Sequence, residues 1–395
     1  MEIAVTGMGA ISAIGSNVEE NLESLLASRT GINKAELLSS KLTETHLFGE
    51  VKRSNKELKA GLNWISDDVS RTTLLSAWAM KEAITQAGID MNDQVGLVSS
   101  TSVGGMDRSE DFFELYYTEE DFGNVSMLAT HDCGTCTTQT AAHFGITEYA
   151  TTISTACSSA ANAIALGARL LRQGKLKRVI VGGTDALCRF TANGFNSLMI
   201  LDTEWCKPFS ENRAGLNLGE AAAYLVLESK DEALSRGAEV LGLLTGWANT
   251  NDAFHQTASS PDGNGAFLAM TKALEKASLS ASDISYINAH GTGTQNNDQS
   301  ESIAIDRVFG GEKPPISSTK AFTGHTLAAA GAIEAVYSLL AIQKKILLPN
   351  LNYQDPMGDN DWKPQLKVEE HEINHVLSNS FGFGGNNSTV IFSKA

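Results

Sequence analysis

Two stretches of this 395-residue chain repeat one another in plan, which constrains the fold more than any single motif. Thr151-Thr-Ile-Ser-Thr-Ala-Cys157 leads into an Ala- and Gly-rich run over 158–171 and then Arg178-Val-Ile-Val-Gly-Gly183. Pro315-Ile-Ser-Ser-Thr-Lys320 leads through Gly324-His325 into a second Ala-rich run over 328–342, and later Val376-Leu-Ser-Asn-Ser-Phe-Gly-Phe-Gly-Gly385. In each, a β-rich run ends in Ser or Thr, a sharp turn presents one reactive side chain, and a small-residue helix follows. Repetition on this scale implies duplicated units. Small residues let helix backbones approach closely, so both helices are expected to be buried against sheets. The halves are expected at about 1–243 and 244–395, with 241–246 as the opening strand of the second. The chain is too long for one ordinary core, and no Pro- or Ser-rich linker separates the halves, which predicts one fused α/β core.

Within the first half, 2–6 reads as a strand ending at Gly7 and Gly9, and 18–27 as an amphipathic helix. Residues 72–87 read as a helix stopped by Gly88, and 95–100 as a buried strand. The acidic, aromatic stretch 110–122 has no clear period and reads as an excursion from the core. Uninterrupted apolar runs are far shorter than the ~20 residues that span a bilayer, so no membrane span is expected. The opening Met-Glu-Ile-Ala-Val-Thr-Gly has no basic region, which predicts no signal peptide and a cytoplasmic protein. The five cysteines (Cys133, Cys136, Cys157, Cys188, Cys206) are expected to be reduced. A net charge of −16 argues against a nucleic-acid partner, which needs a basic footprint.

Cys157 follows a strand signal and precedes a helix, so its sulfur should sit where helix amides and the macrodipole favour a thiolate. A buried structural cysteine is the alternative. Asn288-Ala-His-Gly-Thr-Gly-Thr294 puts His290 on a glycine-bearing loop after the strand signal at 284–287, where ligands are commonly held. His325 occupies the repeat position comparable to the region of Cys157. Either histidine alone reads equally well as structural. Together, one cysteine and two histidines at strand ends of related halves form the set needed for a Claisen condensation.

Asn288 to Thr294, Ser317-Ser-Thr-Lys-Ala-Phe-Thr-Gly-His325, Thr155-Ala-Cys-Ser158 and Asn379-Ser-Phe-Gly-Phe-Gly-Gly385 closely resemble the elongating β-ketoacyl-acyl-carrier-protein synthases of types I and II. The match in order and spacing extends from Val5-Thr-Gly-Met-Gly9 to Ile391. The resemblance implies a thiolase fold, a duplicated five-layer αβαβα architecture, and a homodimer. It also implies decarboxylative condensation of a malonyl thioester with an acyl chain on Cys157, giving a 3-oxoacyl thioester in fatty acid or polyketide-type synthesis. His290 and His325 would act as neutral hydrogen-bond donors to the malonyl thioester carbonyl, because the enolate left by decarboxylation needs preorganised donors. The amides of Cys157 and Phe383 would form a second oxyanion hole, with Gly382, Gly384 and Gly385 letting that backbone turn. Lys320 would be a structural and electrostatic support paired with Glu334. Thr292 and Thr294 would hold the phosphopantetheine arm, although such threonines also cap backbone amides. Phe383 would gate the acyl pocket, lined in part by Val103, Phe195 and Phe381. No resident cofactor or metal is expected, since 4'-phosphopantetheine arrives on the acyl carrier protein.

Gln295 stands where the family often has proline, and Asn386 where it often has threonine. Cys133-Gly-Thr-Cys136 has CxxC spacing but no second pair to complete a zinc site, and reads as structural. With His131-Asp132 and Gly183-Thr-Asp-Ala-Leu-Cys-Arg-Phe-Thr191 it resembles synthases of aryl polyene and flexirubin pathways, implying an aryl or polyenoyl substrate. Acyl carrier proteins are acidic, so a chain of charge −16 needs a local basic patch. Arg71 and Lys207 are the docking candidates, while Asp67 and Asp68 stand where basic residues are frequent. An unusual carrier, or a heterodimer with a related synthase or chain-length factor, is the alternative partner reading. A thiolase would need a second cysteine near the C-terminus, but the last cysteine is Cys206. An initiating synthase would have Asn in place of His325, and a chain-length factor itself would lack Cys157.

Overall fold

The computed structural model describes residues 1–91, 93–118, 124–358 and 362–395. Its strands are β1 Ile3–Ser12, β2 Val95–Ser100, β3 Tyr149–Ile153, β4 Arg178–Asp185, β5 Ala221–Ser229 and β6 Gly242–Asn251, followed by β7 Tyr286–Asn288, β8 Ile316–Ser317, β9 Ile346–Leu347, β10 Glu369–Glu370, β11 His375–Gly382 and β12 Asn386–Ser393. The helices are α1 Val18–Leu26, α2 Asn55–Leu62, α3 Arg71–Ala87, α4 Met106–Thr118, α5 Cys133–Phe144 and α6 Ser159–Arg172, then α7 Arg189–Ser197, α8 Lys230–Ser235, α9 Asn264–Ala277, α10 Gln295–Phe309, α11 Lys320–Thr323 and α12 Ala330–Lys344.

The expected repeat is visible in the sheet order, β3-β2-β4-β5-β1-β6-β12-β11-β7-β8, which reads the same from either end once the halves are matched. β2 lies parallel between β3 and β4, as β7 does between β8 and β11. β5 is antiparallel to β4 and β1, as β12 is to β11 and β6. The halves join where Ile3, Ala4 and Val5 pair with Leu244, Leu243 and Gly242. α6 and α12 pack on each other and on strands of both halves, whereas α3 with α5, and α9 with α10, cover the outer faces. The result is five alternating layers, the duplicated α/β architecture that the resemblance implied.

A helix packed between the strands of the two halves has no wet side, and α12 is buried all round from Ala330 to Ile342. Its small residues set the spacing: a Cβ on Gly331 would come within 2.9 Å of the Ala161 nitrogen on α6. The stretch Leu327–Lys344 is long and apolar enough by composition to cross a membrane, which the short uninterrupted runs concealed; 89% of it is buried inside the protein.

Two element boundaries depart from expectation. β1 continues through Gly7 and Gly9 instead of ending there. A Cβ at these positions would meet the Ala83 and Ala79 carbonyl oxygens at 2.3 and 2.1 Å, so the glycines admit α3 against the strand. The aperiodic stretch 110–122 is largely α4, whose Phe112, Phe113, Tyr116 and Tyr117 contact one another along the helix. Residues 119–122 of that stretch lie outside the described residues.

Candidate active site

Cys157 sits on the turn between β3 and α6. The preceding Ala156 is in the left-handed region (φ +51°), a conformation that costs an L-residue roughly 1–3 kcal/mol. Side chains hold the turn in place: Ser159 Oγ accepts from the Thr155 amide at 2.8 Å, and Ser158 Oγ donates to the Thr155 carbonyl at 2.7 Å. Asn162 and Asn249 donate to Asn386 Oδ1, at 3.0 and 2.7 Å, and Ser158 Oγ lies 2.6 Å from it, so the position where the family often has threonine anchors the second half to the start of α6.

His325 arrives from the other half, on the turn between α11 and α12, with its amide donating to Asn217 at 2.7 Å. Its Nε2 lies 3.0 Å from the Cys157 sulfur. His290 follows β7, and its ring stands edge-on to that of His325 with centroids 5.3 Å apart. One donor atom from each of the three lies within 4.8 Å of the others. Glu301 on α10 accepts from the amides of His290 and Gly291, both at 2.8 Å, and from Asn379 at 3.1 Å. The sequence reading missed Glu301, although its place on the helix that follows the His290 motif is the signal that could have found it.

Burial governs the electrostatics. It holds both imidazoles well below their ordinary value of 6.5, assisted by the nearby Lys320 charge, which favours the neutral form of each. Burial also pushes the Cys157 thiol up to about 11, against the lowering effects of Lys320 and the Phe383 amide. The expectation of a resting thiolate is therefore corrected: desolvation of the sulfur outweighs the lowering by Lys320 and the nearby backbone amides. Lys320 and Glu334 form a buried ion pair, and burial raises the Glu334 carboxyl to about 7 despite that partner.

Gly382 passes so close to the cysteine turn that a Cβ there would lie 3.1 Å from the Cys157 nitrogen and 3.0 Å from the Thr155 oxygen. Beyond it, Gly384 and Gly385 take positive φ (+80° and +75°), and Phe383 stacks on Phe195 with centroids 5.7 Å apart. A cavity of about 250 Å³ opens onto Cys157, His290 and His325 and is lined by Phe195, Phe381 and Phe383, and by Thr292 and Thr294, whose hydroxyls are 2.9 Å apart.

Three predicted residues lie elsewhere. Val103 does not line this cavity; it is buried in an apolar cluster with Leu187, Cys188, Leu216 and Leu327, against which Phe195 packs. Arg71 is buried, its guanidinium bonded to Glu220 at 2.6 Å and to backbone carbonyls, so it is a structural ion pair and not a docking cation. Lys207 is also withdrawn, its side chain 12% exposed and held by Glu204 at 2.9 Å. Cys133 and Cys136 occupy the first turn of α5 as free thiols, behind the capping Asp132.

Residues 1–233 match the family model of the β-ketoacyl synthase N-terminal domain and 241–354 that of the C-terminal domain. The chain belongs to the β-ketoacyl synthase family. It is 33% identical to 3-oxoacyl-[acyl-carrier-protein] synthase 2 of Staphylococcus aureus (strain MRSA252), over 100% of this chain and 98% of the relative. Among solved structures it is similar to the ishigamide ketosynthase/chain length factor, with a TM-score of 0.94 and 29% identity, covering 100% of this chain and 99% of that one. It is also similar to a ketosynthase in complex with its chain length factor from Xenorhabdus doucetiae, with a TM-score of 0.87 and 32% identity over 100% and 98% of the two chains. This β-ketoacyl synthase is thus an acyl-transferring enzyme of thiolase fold that carries out ketoacyl-acyl-carrier-protein synthase condensation in fatty acid or polyketide synthesis.

Proposed function

We propose that Cys157 is the residue acylated and His290 and His325 the pair that binds the malonyl thioester. The observation that carries this is the 3.0 Å contact between His325 Nε2 and the Cys157 sulfur, with His290 beside them in a buried cavity. In the first step the sulfur attacks the incoming acyl carbonyl and the bond to the carrier thiol breaks; the thiol proton leaves with that thiol, relayed by His325. In the second, the malonyl thioester loses carbon dioxide, and the enolate oxygen is held by hydrogen bonds from the two neutral imidazoles, each donor worth about 2.7 to 4 kcal/mol. The carbanion attacks the acyl carbonyl, whose oxygen is held by the amides of Cys157 and Phe383, and the cysteine departs as thiolate and takes up a proton from solvent.

Lys320 with Glu334 supports this pocket, Phe383 gates it against Phe195, and Thr292 and Thr294 receive the phosphopantetheine arm, with no resident cofactor or metal. The branch we favour is the aryl or polyenoyl one, on the motifs around His131 and Gly183. The likeness to ketosynthases solved with chain length factors favours a heterodimer of this kind over a homodimer, and we place the enzyme in the cytoplasm. The test is intact-mass analysis of wild type and Cys157→Ala after acyl-carrier thioester is supplied, then malonyl carrier. An adduct on wild type alone, discharged as an elongated 3-oxoacyl product, is expected. A chain that takes no acyl group from any donor would instead be a non-catalytic partner subunit.

A further inference from the structure

A protein that delivers a thioester to Cys157 has to come up against the surface around the cavity, and that surface is unlike the basic patch a chain of this acidity was expected to need. No Lys, Arg, Asp or Glu lines the cavity. Nearby, Lys207 is held by Glu204, and the buried Arg213 guanidinium is engaged by the carbonyls of Ser210, Thr294 and Gln295. In their place are exposed apolar side chains. Leu198, the residue that caps α7, is 43% exposed, and the next residue, Met199, lines the cavity while 88% exposed. Met199 is in the left-handed region (φ +55°), unusual for a non-glycine residue. Phe254, 56% exposed, precedes Thr257, Ala258 and Ser259 of the cavity lining. Its loop is tied to the gate, because the Gly384 amide donates to the Gln256 carbonyl at 2.7 Å and Asn251 donates to the Gly384 carbonyl at 2.9 Å.

We propose that the acyl carrier protein docks at this mouth through apolar contact with Leu198, Met199 and Phe254 in place of ion pairs, an inference that rests on the reading of Cys157 as the acylated residue. A flexible thioether at the centre suits contact with a mobile helical partner. Contact of this kind needs no charge complementarity, so an overall charge of −16 does not have to be overcome by a local cluster of opposite sign. It also makes turnover with carrier-bound substrate insensitive to salt, since screening acts on charges.

The experiment compares malonyl carrier with a malonyl pantetheine thioester that bypasses protein docking. With the carrier, kcat/KM is expected to change by less than about threefold between about 50 and about 500 mM NaCl; a fall of about tenfold or more would mean ion-pair docking and overturn the proposal. Leu198→Ser and Phe254→Ser, which do not line the cavity, are expected to raise KM for the carrier-bound substrate roughly fivefold or more, with acylation by an acyl pantetheine thioester kept at the wild-type rate. Unchanged KM in both variants overturns the proposal. If wild type is acylated by neither donor, the assignment of Cys157 falls and the docking surface with it; acylation by the pantetheine thioester alongside a steep salt response removes the docking surface alone.

Discussion

The site runs on uncharged groups held in place by buried charged ones. His290 and His325 stay neutral in the folded protein well below 6.5, whereas in the unfolded chain they titrate near that value. As pH drops below 6.5 the unfolded state therefore takes up the extra protons, and each histidine withdraws up to about 1.4 kcal/mol of stability per pH unit. Glu301 and Glu334, raised to about 7, act in the opposite sense between 4.5 and 7. The expected outcome is that Tm responds more favourably to acidification in the His290→Asn/His325→Asn double variant than in wild type; parallel curves would show that the histidines charge in the folded state. Gly382→Ala would push the gate strand off the cysteine turn and displace an oxyanion donor, so kcat should fall about 10²-fold or more in a steady-state assay. That Cys157, His290 and His325 come together was legible from residue type and motif. The thiol's resting proton, the role of Glu301 and the burial of Arg71 were not, because each depends on what the opposite half places around it.

Elements owe their positions to small residues more than to hydrogen bonds. Gly331→Val on α12 would press on Ala161 and Ser380, each within 2.9 Å of the new Cβ, and overpacking of this sort costs about 1–3 kcal/mol, measurable by denaturant titration. Removing one member of the Lys320–Glu334 pair leaves an uncompensated buried charge: Glu334→Ala should cost about 3–5 kcal/mol, whereas Lys320→Met/Glu334→Leu should recover most of the stability without recovering turnover. The same small residues explain what sequence patterning read and what it misread. α1, α3 and β2 fall within a residue or so of their expected bounds, since their apolar patterns are clear and Gly88 stops α3. β1 was cut short because glycine signals a turn in isolation but here makes room for a helix. α4 was passed over because its exposed rings blur the helical period that marks a buried face.

Across the whole molecule, α6 and α12 pack on strands of both halves at once, so neither half has a closed core without the other. Thermal unfolding should therefore be a single transition, with circular dichroism and tryptophan fluorescence coincident; two separated transitions would show independent halves. The duplicated plan was the most legible property of the chain, because a repeated strand–turn–helix order survives even where side chains have diverged. Only three residue pairs of β1 and β6 join the sheet across its middle, too short a ladder to hold two halves of this size in register. The task falls to the packing of α6 on α12, and the turn before α6 carries the sulfur while the turn before α12 carries the imidazole. The distance between the sulfur and the imidazole is thus a packing dimension, set by the thickness of a layer of small residues. Loops at the rim are free to drift toward new acyl groups and new partners, while this internal ruler stays where surface change does not reach it.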